Sequence, residues 1–279
     1  MKSLATAFCV LWVTLAGLGP VRPETIGLTL LTQSFAPLQF SEEDVPAGYV
    51  SDYLLKALER VNASKAVKID AFEFLPWKRA MLMAETTPNI LFFSLSRTPE
   101  REDKFLWLGE VSPYGQYLYQ LNDGPPIDAV DMKSLLDQGH RIGVQSGSSQ
   151  DGYFQDLGTR DPASLVHITD YHQGIDMLFL GRIDLLPLTG FLAQATVCSH
   201  GYDGSRLRPV IHIDALAKPL WAVFSKGTDP ELVEAFRREM ENLRAEGYWK
   251  ERFDHHVVRW QNIACAPAPK AADDLVLAD

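Results

Sequence analysis

Two periodicities alternate along the chain. Apolar runs at 26–31, 67–72 and 90–93 have the length and the β-branched or aromatic content of strands. Between the first two, Val50, Leu54, Ala57, Leu58 and Val61 fall on one helical face, and 77–84 forms a shorter helix. This β-α-β-α-β order predicts a parallel sheet covered on both faces. The turn-rich stretch from Asn122 to Pro126 breaks the pattern, which then resumes. A helix at 132–136 stops at Gly139; a strand at 141–144 leads into the loop 147–149, which opens a further helix. A strand at 165–168, a helix at 175–180 closed by Gly181 and a strand at 183–188 complete a second α/β unit. Near the end, Thr228 is expected to cap a helix with Glu231 three residues on. Pro230 lies in its first turn, and Val233, Phe236, Met240 and Leu243 line one face before Gly247.

The ends differ from this pattern. Lys2 followed by the apolar run 4–18, with Ala16, Gly17 and Gly19 near its end, reads as an export signal over residues 1–19, because a spanning helix needs roughly twenty apolar residues. The tail 264–279 is rich in Ala, Pro and Asp and is expected to lack stable order. With 279 residues, 46% of them hydrophobic, the chain can bury a large core, and its net charge of -10 excludes non-specific nucleic-acid binding. Of three cysteines Cys9 leaves with the signal. Cys198 and Cys265 then either form one disulfide or remain as two small apolar residues.

The usual catalytic and cofactor signatures are not met. Ser146, Ser148 and Ser149 do not fall in a G-x-S-x-G frame, and no G-x-G-x-x-G or P-loop occurs. His255 and His256 are adjacent and so point about 100° apart on a helix, and Cys198 with His200 is too sparse a set for a metal. No cofactor is expected. The strand-to-helix junctions carry polar groups instead: Ser94 and Ser96 after one strand, Ser148, Ser149 and Gln150 after another. Ligands of open α/β sheets bind at such junctions, where backbone N–H groups point outward. Arg101 could complete an anion site, since guanidinium meets carboxylate with two parallel bonds. It could equally form a solvated ion pair with Glu100, Glu102 or Asp103, and Arg97 shares the ambiguity. Trp77 and Phe35 serve either as flat walls of a pocket or as core.

The segments SFAPLQF, AGYVSDYLLKAL, SLSRTPERE, RIGVQSGSSQ, GRIDLLPL and FRREMENLRAEGYWKERF, in this order, span nearly the whole mature chain. Together they resemble the periplasmic solute-binding proteins of family 3, the polar amino-acid type that serves ABC importers, and PWKRAM is similar to a branch with a PWxRA segment. The resemblance implies an α/β fold of the type II periplasmic binding kind, two lobes joined by a hinge. Lobe one would comprise 20–116 and 218–263, and lobe two 117–217. By resemblance Arg101 takes a ligand carboxylate, Ser94 and Ser96 assist from lobe one, Ser148 and Ser149 from lobe two, Phe35 covers the ligand, and Trp77 lies near it. Thr189 stands where amino-acid binders of this family carry an acidic residue for the ligand's ammonium. The implied protein is a periplasmic monomer, not an enzyme, whose partners are a small-molecule ligand and an ABC permease of the inner membrane. Two alternatives are a ligand sensor and a dehydratase-like enzyme using the same cleft, for which Glu73 or His172 would have to serve as acid or base.

Overall fold

The computed structural model describes residues 25–263 and Cys265, so the expected signal at 1–19 and nearly all of the tail lie outside the described residues. The first part runs β1 (Ile26–Thr32), β2 (Phe40–Glu42), β3 (Val45–Ala47), α1 (Tyr49–Asn62), β4 (Val67–Phe74), α2 (Trp77–Thr86) and β5 (Ile90–Ser96). A 3₁₀ turn at Pro99–Lys104 then leads to β6 (Phe105–Ser112). The middle runs β7 (Gln116–Leu121), α3 (Met132–Asp137), β8 (Ile142–Gln145), α4 (Ser149–Leu157), β9 (Leu165–Ile168), α5 (Tyr171–Phe179), β10 (Leu186–Thr189), α6 (Ala193–Ser199) and β11 (Leu207–His212). The chain ends with β12 (Leu220–Ser225), α7 (Pro230–Ala245) and α8 (Tyr248–Gln261).

Two sheet systems result. The first has the order β4-β1-β5-β12-β6; the second has β7 at the centre of β10-β7-β11, with β8 and β9 paired beside it. The chain crosses between them at 113–115 and at 213–219. The parallel arrangement expected of the first three strands is present, within a sheet that is mixed as a whole. β4, β1 and β5 are parallel, but β12 runs antiparallel to both β5 and β6. The reason is topological: β12 enters from the second sheet system rather than from a crossover helix, and so runs against its neighbours. β7 is likewise antiparallel to both of its partners.

β5 is the central strand because Ile90 to Leu95 are all buried, apolar on both faces save Ser94. On one face Tyr49, Tyr53, Phe93 and Phe236 pack under α1 and α7; on the other, Phe92 and Trp107 pack under α2. Each such side chain contributes about 1.5–3 kcal/mol on full burial. The Tyr53 hydroxyl donates to the Met240 carbonyl at 2.6 Å, which fixes α1 against α7 without leaving a buried polar atom unmatched.

Two local expectations shift, and one open alternative is resolved. The cap of α7 is Asp229, which accepts from the Glu231 backbone at 2.9 Å, while the Thr228 hydroxyl donates to Ser225 at 3.0 Å. Thr228 is drawn into the turn that ends β12, so the cap moves one residue on. The strand expected from 183 begins at Leu186, because Asp184 is held back by Arg141. Its carboxylate accepts from the Arg141 backbone at 2.8 Å and from the guanidinium at 2.6 Å. Burial alone would raise the Asp184 pKa, but these bonds and the Arg141 charge together hold it below the ordinary carboxylate value. Finally, Cys198 and Cys265 are joined, with an S–S distance of 2.00 Å. No helix among the described residues is long and apolar enough to cross a membrane.

Candidate functional site

The two sheet systems face each other across a cleft whose walls are the junctions that follow β1, β5 and β8. β5 ends with an unusual backbone: Ser94 has φ of 61°, a left-handed conformation that costs a residue bearing a Cβ about 1–2 kcal/mol. Its hydroxyl donates to Gln39 Oε1 at 2.7 Å, and Gln39 Nε2 donates to the Gln33 carbonyl at 3.2 Å. Ser96 closes the strand and meets the other side directly, its hydroxyl accepting from that of Ser149 at 3.1 Å.

The turn Pro99–Lys104 folds Arg101 back over this strand end. The side chain is 8% exposed, donates to the Ser96 carbonyl at 3.1 Å and the Gly147 carbonyl at 3.3 Å, and lies 5.7 Å from the Trp77 ring. No ion pair within 4.0 Å involves Arg101 among the described residues. Burial lowers its pKa, and the charges of Glu100 and Glu85 offset only part of that effect. The guanidinium is thus buried, bonded to two backbone carbonyls and only partly compensated in charge.

Trp77 begins α2 and packs on Phe92, while its Nε1 donates to the Gly147 carbonyl at 3.0 Å. Gly147 has φ of 72°, suited to glycine, and its N–H is held by Asp151 at 2.7 Å. This turn aims one carbonyl at both Trp77 and Arg101. Ser148 caps α4, accepting from Asp151 N–H at 3.2 Å, so its hydroxyl is largely committed to the helix. From the end of β8, Gln145 Nε2 reaches across to Gln33 Oε1 at 2.8 Å and also holds the Thr169 carbonyl at 2.9 Å. Phe35 stacks on Tyr171 with ring centroids 5.4 Å apart.

The structure therefore brings Phe35, Trp77, Ser94, Ser96, Ser148 and Ser149 to one small cavity of about 40 Å³. Arg101 lines the adjoining open groove of about 640 Å³, together with Ser96, Ser148 and Ser149, which belong to both. Arg97 lines that groove too, but it is spent: it pairs with Glu102 and lies 4.9 and 4.8 Å from the rings of Trp107 and Trp221. Thr189 is not brought to the cavity; it is buried opposite Gln116, and its hydroxyl has no partner. Gln150 turns inward to Gln116, 2.5 Å away. Neither Glu73 nor His172 lines the cavity or the groove, and His172 instead meets His200.

Gln33, Gln39, Gln145, Tyr114 and Tyr171 also line the cavity and were not singled out by sequence. Gln33 and Gln145 immediately follow or end strands, the same signal that selected the serines. The two tyrosines carry no such signal. Tyr114 lies in the crossing between sheets, its hydroxyl 3.2 Å from that of Tyr171, and burial pushes its phenol well above the ordinary value.

The chain matches no protein-family model and no curated protein. Among solved structures it is similar to an ancestral arginine-binding protein bound to arginine, at 19% identity over 82% of this chain and 97% of that one, with a TM-score of 0.67. A structure from work on glutathione import in Gram-positive bacteria, via GshT and the cystine ABC importer TcyBC of Streptococcus mutans, gives a TM-score of 0.71. Its identity is 14%, over 84% of this chain and 96% of that one. A histidine kinase sensor domain with similarity to periplasmic binding proteins gives 0.68 at 15% identity, over 88% and 99%. With mixed sheets flanked by helices on two bodies, the fold is that of the periplasmic binding proteins.

Proposed function

We propose that this protein is an exported solute-binding protein that closes two lobes over a small carboxylate-bearing solute and presents it to an ABC importer. The observation that carries the reading is Arg101: a buried cation with no carboxylate partner among the described residues, set where the two sheet systems meet. Leaving such a charge unmatched is costly, and an incoming carboxylate would compensate it with two charge-assisted bonds. Lobe one is assigned 20–116 and 218–263, and lobe two 117–217, with residues 1–19 as the export signal and the periplasm as the compartment. Arg101, Ser96 and Ser149 form the carboxylate subsite; Phe35, Trp77 and Ser94 shape the remainder, with Ser148 holding the helix start. The PWKRAM segment, which supplies Trp77, fits the PWxRA branch. The protein acts as a monomer, and the solute shifts the hinge by touching both lobes only when they are closed.

The fold likeness to structures connected with importers supports delivery. The likeness to a sensor domain supports a second reading, in which the same cleft reports its occupant to a receptor. Neighbouring genes for a permease and an ATPase would favour delivery. The binding reading itself is tested with Arg101→Ala. Isothermal titration with a carboxylate that binds the parent protein should show affinity reduced at least about a hundredfold. Stability should hold within about 1 kcal/mol, because the variant sheds a desolvated charge as well as two hydrogen bonds. Undiminished affinity would remove Arg101 from the site.

A further inference from the structure

We propose that the cleft selects carboxylates that carry no ammonium group, the class of 2-hydroxy and 2-oxo acids, over the corresponding amino acids. This rests on the carboxylate-capture reading above and deepens it to a substrate class.

The polar groups that line the small cavity are neutral throughout. Thr32, Gln33, Gln39, Ser94, Gln145 and Tyr171 are among them, and no aspartate or glutamate is. Two acids at neighbouring helix starts are already committed. Both oxygens of Asp151 accept, from Gly147 N–H at 2.7 Å on one side and from Gln155 and His167 at 2.5 and 3.0 Å on the other. Asp170 caps α5 by accepting from Gln173 N–H at 2.9 Å. In the groove beside Arg101, Glu85 pairs with Lys104, while Glu100 and Asp156 are exposed to water outside the cavity.

An ammonium has three protons to place and no acceptor capacity. Gln33 Oε1 and Gln39 Oε1 each already accept one bond, from Gln145 and Ser94, so every acceptor left to an ammonium, Gln145 Oε1 and the hydroxyls included, is neutral. The backbone carbonyls of Ser96 and Gly147 are taken by Arg101 and Trp77. The fixed charge beside the cavity is positive, so an ammonium seated within the cavity meets repulsion from Arg101 and no counter-charge among the residues that line it. A hydroxyl or oxo group asks far less. The serine, threonine and tyrosine hydroxyls rotate to donate or accept as required.

The test is a matched panel on the purified protein, read by thermal shift and isothermal titration. Lactate, pyruvate, L-alanine and ethylamine form one series; 3-phenyllactate, phenylpyruvate, L-phenylalanine and phenethylamine a second; 2-hydroxyglutarate, 2-oxoglutarate and L-glutamate a third. In at least one series the hydroxy or oxo acid should bind at least about a hundredfold more tightly than the amino acid, and the amines should be silent. If an amino acid binds as tightly as its hydroxy and oxo analogues, or more so, the selectivity is overturned while carboxylate capture stands. If no carboxylate in any series binds, both fall together.

Discussion

At the scale of single residues, the cleft is built from strain and uncompensated charge rather than from good local geometry. Ser94 adopts a left-handed backbone at the last turn of the central strand, where it is 8% exposed and bonded to Gln39. Two substitutions separate the strain from the hydrogen bond. Ser94→Ala loses the bond, leaves a buried amide oxygen without its donor and keeps the unfavourable backbone; Ser94→Gly loses the bond but relieves the backbone. Urea denaturation should therefore place Ser94→Gly about 1 kcal/mol above Ser94→Ala in stability, with both below the parent. Equal stability of the two variants would mean that the conformation carries no strain. The serine side chain locks Gln39, and through it the loop that holds Phe35, against the strand end.

At the scale of elements, helix starts do much of the positioning. For α7 the competing accounts are a box between Thr228 and Glu231 and a single cap at Asp229. The structure has the second, so Asp229→Ala should cost about 1 kcal/mol in thermal or chemical denaturation. Glu231→Ala should cost no more than about 0.5 kcal/mol, because its exposed pair with Lys65 contributes little. A larger loss from Glu231→Ala would restore the box. This difference typifies what the sequence conveys. Long apolar or periodic stretches such as Ile90 to Phe93, or the buried face of α1, are legible because local pattern and tertiary burial agree. The hairpin β2–β3 is not, because it is two three-residue strands turned by Glu43 and Asp44 with positive φ. Nor is α8, whose inward face is made of the partly buried aromatics Trp249, Phe253 and Trp260 around the single buried Val257, interleaved with charged residues. The site divides in the same way. Serines, an arginine and a tryptophan at junctions stand out in sequence, whereas Gln33, Gln145 and Tyr171 gain meaning only when two distant segments meet.

At the scale of the whole molecule, the contacts between the two sheet systems across the cleft include Gln33 with Gln145, Ser96 with Ser149, Trp77 and Arg101 with Gly147, Tyr114 with Tyr171, and Phe35 on Tyr171. These are mostly polar bonds that water or a solute can replace, so opening them costs little beyond the stacked ring pair. Away from the cleft the connection is stronger. α8 packs against α1 and α7 of the first body, yet the Gln261 amide donates to the Phe191 carbonyl of the second at 3.0 Å. Just beyond it Cys265 bonds to Cys198 at the end of α6, so the disulfide is a third covalent route between bodies already joined by two chain crossings. It closes a loop across a separation of 67 residues, for which the chain-entropy relation gives about 4 kcal/mol as an upper figure. Cys198→Ser, or reduction confirmed by a gain of two hydrogens in intact mass, should lower unfolding free energy by about 2–4 kcal/mol. If the staple also restrains the hinge, the solute-free protein should become more extended in small-angle scattering on reduction, while the closed, solute-bound form keeps its dimensions. A loss of stability with unchanged scattering would confine the bond to the unfolded state. An unchanged melting temperature would remove it from both.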